Sequence, residues 1–329
     1  MSRIVRFHSL GGPEVLQIED VATPQPGPGE VSLSVKAFGI NRADELFRTG
    51  NYTPAVLPSR IGYEAAGIVT DVGPGDNGFV RGDIVSVIPT AGGIGSYGTY
   101  GERATVPAYS LVKHPPFLSF VEAAAVWMQY VTAYGALVEM AGLTAGEAVV
   151  INAASSSVGL AAIQVANLLG AIPIATTRSG AKRQALLEAG AAHVIATQEE
   201  DVRALLAEIT NGRGARVIFD PVGGPAVATF IEAMSAGGIF IFYGVLDPEP
   251  ISFQPVPFLF KALRLAAYRI GDLTVVPDRL ERAKRFILGG LESGKLRPIV
   301  AKTFAFDQIV DAHRYLESNE QFGKIVVTV

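Results

Sequence analysis

The sequence predicts an α/β protein, a doubly wound parallel sheet joined to a second, β-rich domain. Three observations carry that prediction. Residues 149–151 are a β-rich apolar run, followed by very small residues at 153–157 and then by apolar positions at helical spacing: Val158, Leu160, Ile163, Val165, Leu168 and Leu169. From 172 to 243 strand-like runs alternate with helical patterns of about ten residues, the rhythm of a parallel sheet with right-handed crossovers. Before residue 120 the pattern is instead many short strands at close spacing, which suggests a compact barrel or sandwich.

The stretch 148–169, AVVINAASSSVGLAAIQVANLL, organises the rest. Strand, tight turn and helix are how a dinucleotide-binding Rossmann fold begins: backbone N–H groups approach a pyrophosphate, and the helix N-terminus adds partial positive charge. Set against G-x-G-x-x-G, the positions are Ala154, Ser156 and Gly159, so only the last is glycine. Alanine and serine keep the turn small, and the hydroxyls of Ser155, Ser156 and Ser157 add hydrogen-bond donors for phosphate oxygens. An ordinary αβ connection is the competing reading of this stretch taken alone.

Composition narrows the function classes. At 329 residues the chain is long enough for two cores, and 49% hydrophobic with 18% charged suits a packed α/β enzyme. A net charge of −4 argues against nucleic acid or anionic lipid as partners. No apolar run reaches a membrane span of roughly 18 residues, and residues 1–10 lack a signal-peptide core. There is no cysteine, which removes disulfides, thiolate nucleophiles and thiolate-held zinc and fits a reducing cytoplasm.

In chain order, strands are expected at 15–20, 30–40, 61–72, 82–88, 100–106 and 111–113, with a short helix at 42–48. Pro24, Pro26, Gly27, Pro28 and Gly29 separate the first two. Residues 121–140 read as helix. Then come strand 172–175, helix 181–189, strand 193–196, helix 201–210, strand 216–220, helix 225–234 and strand 238–243, with a sixth strand at 263–268. The tail carries helices at 278–292 and 307–317 and strands at 299–304 and 324–329, which return to complete the first domain. The crevice at the strand C-termini, between the domains, is the expected ligand site.

The chain resembles the medium-chain dehydrogenase/reductase superfamily, and within it the zinc-independent, zeta-crystallin-like quinone oxidoreductases. The resemblance spans essentially the whole chain. It rests on GINRADELFRTGNY (39–52), GYEAAGIVTDVG (62–73), GDIVSV (82–87), NAASSSVGLAAIQVA (152–166), VIFDPVGG (217–224) and FGKIVV (322–327). It implies a Rossmann doubly wound parallel sheet plus a β-rich GroES-like catalytic domain. The catalytic domain would be 1–122 and 266–329, and the NADPH-binding domain 123–265. Zinc-bearing relatives carry cysteine at the Asn41 position, histidine at the Tyr63 position and a further cysteine near Met128–Gln129; only Glu64 remains here. Asparagine and tyrosine are poor zinc ligands, so no metal is expected. His8, His114, His193 and His313 lie far apart and read as packing or surface residues.

No acidic residue lies between 172 and 184; Thr176, Thr177, Arg178, Ser179, Lys182 and Arg183 stand where an NAD site carries a carboxylate. A cationic loop attracts a 2′-phosphate, so NADPH is the expected cofactor, and the resemblance maps the family's phosphate-binding lysine onto Lys182. Thr197 stands where many relatives have a tyrosine near this phosphate. A solvated helix start is the plainer reading of Arg178 and Lys182.

With no zinc, the oxyanion that develops on a reduced carbonyl must be stabilised by hydrogen-bond donors. The resemblance places Tyr52, Asn41 and Tyr63 in that catalytic group, Tyr52 first as donor, against a reading of Tyr52 as loop packing. Asn41, Gln129 and Thr132 would orient the nicotinamide. Ala154, Ser155, Ser156, Ser157, Val158, Gly159, Thr177, Arg178 and Lys182 would hold the phosphates. Asp220, Val222, Tyr243, Gly244, Val245, Phe322, Gly323 and Lys324 complete the cofactor-binding set. Asp44 is either a functional carboxylate or a helix-start residue. The expected activity is zinc-independent, NADPH-dependent reduction of quinones or other α,β-unsaturated carbonyl compounds. A trans-2-enoyl thioester reductase and a low-turnover, crystallin-like NADPH-binding protein are the alternatives. A homodimer is expected, with strand 240–243 at the sheet edge, and 92–101 (GGIGSYGTYG) as a flexible substrate loop.

Overall fold

The computed structural model describes every residue except Pro24, Asp76, Ala91 and Gly92. The chain divides into two compact units: Met1–Met128, Ile270–Glu281 and Pro298–Val329 form the first, Gln129–Arg269 and Arg282–Arg297 the second.

The second unit is built on six parallel strands in the order His193–Ala196, Ile172–Thr177, Ala148–Ile151, Ala215–Asp220, Met234–Phe242, Arg264–Ala267. In sequence order that is 3-2-1-4-5-6, so the switch point lies between Ala148–Ile151 and Ala215–Asp220. Central strands buried on both faces must be apolar throughout, and Val149, Val150, Ile151, Ile218 and Phe219 are fully buried. The helix Ser157–Leu168 buries Leu160, Ile163 and Val165 against them.

Strand 240–243 is not at the edge. It lies inside the sheet, because Leu265 and its neighbours pair with it in parallel register (Phe240 with Leu265, Ile241 with Ala266), and the edge passes to Arg264–Ala267. The single helix expected at 121–140 is three pieces: Phe120–Ala123, Trp127–Tyr134 and a π-helical turn at Gly135–Met140. The π-helical turn begins at Gly135, where any Cβ would lie 2.2 Å from the Tyr268 hydroxyl, which donates to the Val131 carbonyl at 3.0 Å.

The first unit holds a seven-stranded, largely antiparallel sheet and a three-stranded one. Glu30–Ile40 is its centre, pairing with Glu64–Val72, with Arg103–Pro107 and with the C-terminal strand Lys324–Thr328. The tail thus returns as expected, but not in one block: residues 282–297 stay with the second unit, held by the Arg282–Glu139 ion pair, by Phe286 against Tyr134, and by Gln164 bonded to the Arg297 backbone. The stretch expected as a flexible loop at 92–101 contains a helical turn, Gly93–Ser96, and Gly92 lies outside the described residues. A Cβ on Gly98 would meet the Ile61 backbone at 2.6 Å and one on Gly101 would meet the Arg3 carbonyl at 3.0 Å. Those glycines serve close packing rather than mobility.

Candidate active site

In the first unit, strand register brings the chemistry together. Gly39 pairs with Glu64 and Ile40 with Ile325, so Asn41, Glu64 and Lys324 emerge side by side at three adjacent strand ends. Lys324 is 1% exposed, and its ammonium bonds the Glu64 carboxylate and Asn41 Oδ1, the latter at 2.5 Å. Asn41 Nδ2 donates back to Glu64 Oε1 at 3.2 Å, and the backbone N–H of Met128 donates to Glu64 Oε2 at 3.0 Å. Space is exact enough that a Cβ on Gly39 would overlap Lys324, Glu64 and the Ala124 carbonyl at once. That is the reason for the glycine opening GINRAD. Lys324 therefore spends its charge inside the protein, and Asn41 has both ends of its amide engaged.

The helix Arg42–Thr49 starts beside this cluster. Asp44, its third residue, accepts the Asn41 backbone N–H at 2.7 Å and the Tyr100 hydroxyl at 2.9 Å through one oxygen. The helix-start reading of Asp44 holds, and the residue is also fully buried. Burial pushes its carboxyl up to about 7, against the bonds from Tyr100 and Asn41 and the Lys324 charge, which pull it down. Tyr63 is half-buried, and burial first, then the nearby Tyr52 and Asp44, hold its phenol well above the ordinary range. Tyr52 is exposed at 51%. Phe322 precedes Gly323, whose φ of +107° and close approach to the Ile299 carbonyl shape the turn into the last strand.

In the second unit the strand ends are tied by one side chain that sequence reasoning missed. Asn152 donates to Asp220 Oδ1 at 2.7 Å and accepts the Thr176 hydroxyl at 2.7 Å, so it links the ends of three strands across the switch point. A polar residue directly after an apolar strand was the available signal. Ala153 then takes φ +50°, and Ser156 caps the following helix by accepting the Gly159 N–H at 3.0 Å. A Cβ on Gly159 would lie 2.6 Å from the Ala154 Cα and carbonyl oxygen, so the one surviving glycine of the pattern is the one that lets helix and turn touch. Ala154 is buried; Ser155, Ser157 and Val158 are half-buried along the turn.

Lys182 reaches this turn with a long hydrogen bond to Ser155 Oγ, 3.4 Å. Thr177 and the exposed Arg178 end the second strand beside it, while Arg183 is committed to Glu200 and the Val194 carbonyl. Glu199 also enters the loop, accepting the Gly180 N–H at 3.1 Å, and it was invisible to a charge count over 172–184 because it arrives from the next strand. Asp220 is buried, with its pKa raised by burial and opposed by bonds from Asn152, Gly223 and Val222; its oxygens brace the turn at 220–223. Tyr243 stacks on Phe219 at 4.0 Å, and its hydroxyl, turned toward Ser156, has no well-formed hydrogen bond. Gln129 is buried with its Oε1 unpartnered, and Thr132 is buried close by in the same helix. Gly244 packs on Pro221, and Val245 is exposed.

Among the described residues, no group of three or more His, Cys, Asp or Glu side chains could hold a metal ion, and no helix is long and apolar enough to cross a membrane.

Comparison with known proteins gives a family. The model for the alcohol dehydrogenase GroES-like domain matches residues 27–116, and that for zinc-binding dehydrogenases matches 157–288. The chain is 30% identical to a quinone oxidoreductase of Pseudomonas aeruginosa over 329 residues, covering 99% of each. It is 28% identical to a 2-haloacrylate reductase of a Burkholderia species, covering 98% of this chain and 97% of that one. The crystal structure of Escherichia coli quinone oxidoreductase complexed with NADPH superposes with a TM-score of 0.92 at 31% identity, covering 99% of this chain and 100% of that one. The chain belongs to the medium-chain dehydrogenase/reductase superfamily and, within it, to the zinc-independent quinone oxidoreductase family.

Proposed function

We propose that this protein is an NADPH-dependent reductase of quinones or other α,β-unsaturated carbonyl compounds that works without zinc. The observation that carries the reading is the phosphate end of the second unit. There Lys182 meets Ser155 of the capped turn, and Arg178 stands exposed at the end of the neighbouring strand. Two orphaned buried atoms fit the same cofactor: Gln129 Oε1 is an unused acceptor, and the Tyr243 hydroxyl an unused donor. NADPH, when bound, supplies the hydride. The chain's own part is to hold the phosphates on Ser155, Ser156 and Lys182 and to place donors at the acceptor's oxygen. Tyr52 is the donor to the carbonyl or enolate oxygen, and Asn41, fixed by Lys324 and Glu64, shapes the wall beside it. A relative that reduces 2-haloacrylate, another conjugated acceptor, widens the class worth testing.

The test is NADPH oxidation against quinones, enones and enoyl thioesters. Turnover with quinones or enones supports the reading; preference for thioesters moves it to that class, and tight NADPH binding with no turnover on any acceptor sinks it. Tyr52→Phe is expected to lower kcat while leaving NADPH affinity unchanged. We also take the protein as a cytoplasmic homodimer. The exposed edge strand Arg264–Ala267 and the exposed Leu259, Phe260 and Leu265 support pairing of second units, which sedimentation of Phe260→Glu tests.

A further inference from the structure

Asn152, directly after the strand Ala148–Ile151, is half-buried and has its whole amide engaged by neighbours. Oδ1 accepts the Ala153 N–H at 3.0 Å and the Thr176 hydroxyl at 2.7 Å, and Nδ2 donates to Asp220 Oδ1 at 2.7 Å. Those partners are themselves fixed. Thr176 and Asp220 are fully buried, and Asp220 also accepts the N–H groups of Val222 and Gly223. The Asn152 backbone N–H is held too, on the Phe219 carbonyl at 3.0 Å. These bonds decide which donors the turn leaves open. The Ala153 N–H goes to the Asn152 side chain, that of Ala154 to the Thr176 carbonyl at 3.1 Å, that of Ser156 to the Ala153 carbonyl at 3.0 Å, and that of Gly159 to the Ser156 hydroxyl at 3.0 Å. Among the described residues, only the N–H groups of Ser155, Ser157 and Val158 lack an acceptor between 153 and 159. They stand half-buried where the helix Ser157–Leu168 begins.

We propose that Asn152 is a positioning residue for NADPH, locking the turn so that these three N–H groups are already arranged for the cofactor's pyrophosphate. The lock acts at Ala153. Its φ of +50° is a conformation that an alanine enters only against a steric cost, and the Asn152 amide on its N–H keeps it there. A turn with alanine and serine at the first two positions of the G-x-G-x-x-G pattern needs such a brace. A turn already in its bound form loses less freedom when the cofactor arrives, so the brace raises affinity without touching the ligand. Thr176 and Asp220 act through the same amide, one fixing its oxygen and the other its nitrogen.

The test is isothermal titration of the full chain with NADPH and with NADH, alongside its Tm. Asn152→Ala should weaken both cofactors about tenfold, the contribution of one hydrogen bond to a charged group. The ratio of the two affinities should stay as it is, because both cofactors carry the pyrophosphate. A residue that only ties strands together would lower Tm and leave both affinities unchanged; that result overturns the proposal, as does a loss for NADPH that NADH does not share. Asn152→Asp sets a second carboxylate against Asp220 and should bind more weakly still. Combining it with Asp220→Asn returns a donor to the pair and should recover most of that loss, and a double variant no tighter than Asn152→Asp overturns the network account. Should Asn152→Ala fail to fold, Thr176→Val keeps the shape of a buried residue and removes only the hydroxyl bonded to Asn152; it should weaken both cofactors about threefold, and full affinity there overturns the proposal. Titration needs no acceptor, so its outcome is separate from that of the quinone, enone and thioester panel.

Discussion

The two units solve the same problem, polar groups at strand ends, in opposite ways. At the ends of Glu30–Ile40, Glu64–Val72 and Lys324–Thr328 the first unit buries full charges and satisfies them with one another: Lys324 on Glu64, Asn41 on both. At its switch point the second unit uses small residues, backbone N–H groups and one buried carboxyl, Asp220, tied by Asn152 with no cation on it, and leaves Gln129 Oε1 and the Tyr243 hydroxyl without a hydrogen bond. A cluster of paired buried charges is rigid and sensitive to the loss of any member; a cradle of small residues and backbone tolerates polar substitution but not bulk. The two kinds of site should therefore fail differently.

The largest expected effect tests the closed cluster. Lys324→Met leaves the buried Glu64 with only Asn41 and the Met128 N–H as partners, and breaking such a pair costs about 3–5 kcal/mol. Urea unfolding should show that loss, and adding Glu64→Gln should recover much of it. Equal midpoints for wild type and Lys324→Met would mean that the cluster does not hold the strand ends.

The same cluster has a pH signature in stability. The Asp44 carboxyl sits higher folded, at about 7, than unfolded, at about 4. It is then protonated in both states at low pH, so its contribution is fully present below about pH 4. Between about 4 and 7 the unfolded chain gives up the proton first, stability falls with rising pH, and above 7 the loss is complete, at up to about 4 kcal/mol. Asp44→Asn removes this dependence. The wild type should lose ground to the variant between pH 5 and pH 8 in matched urea titrations; a constant difference between the two would show that Asp44 is ionised throughout.

In the open cradle the vulnerable position is Gly159. A methyl group there would fall 2.6 Å from the Ala154 backbone, an overpacking cost of about 1–3 kcal/mol. Gly159→Ala should lower Tm and weaken binding of 2′,5′-ADP, while Ser157→Ala should do neither to a comparable extent. Identical Tm values for Gly159→Ala and wild type would remove the close-contact account of why this glycine alone survives.

The fold was legible because its signals are local and periodic. The apolar run at 149–151, the alternation at 30–40 and the helix at 42–48 are each fixed by a few adjacent residues, and the strands stand where those patterns put them. What escaped were facts of register and crossing. Glu64 and Lys324 are 260 positions apart and meet only because Glu30–Ile40 pairs with both of their strands. The edge expected at 240–243 came from the family resemblance, although a sixth strand was expected at 263–268; only the parallel register with Arg264–Ala267 shows that this sixth strand takes the edge. Of the two readings of Asp44, the helix-start one is local, but its burial and its bond to Tyr100 depend on a segment that enters 56 residues later. Asn152 and Glu199 were missed for the same reason: the partners that give them meaning come from other strands.

The smallest effect is the sharpest test of the open cradle, because it reads charge rather than shape. Arg178 is exposed and Lys182 only half-buried, so in the proposed site each would act on a 2′-phosphate through partly screened Coulomb attraction, of order 1–2 kcal/mol, or about 5–30-fold in affinity. Arg178→Glu or Lys182→Glu should weaken NADPH by at least that factor and leave NADH nearly unchanged, since NADH has no phosphate there. Glu199 opposes them from the facing loop, its carboxylate held on the Gly180 N–H. Glu199→Gln should then favour NADPH over NADH further, by a few-fold, and raising ionic strength should shrink every one of these ratios. Isothermal titration with both cofactors at two salt concentrations measures the set. Equal losses of NADPH and NADH in the charge reversals would mean that Lys182 only braces Ser155, and the cradle's preference for the phosphorylated cofactor would have to arise elsewhere.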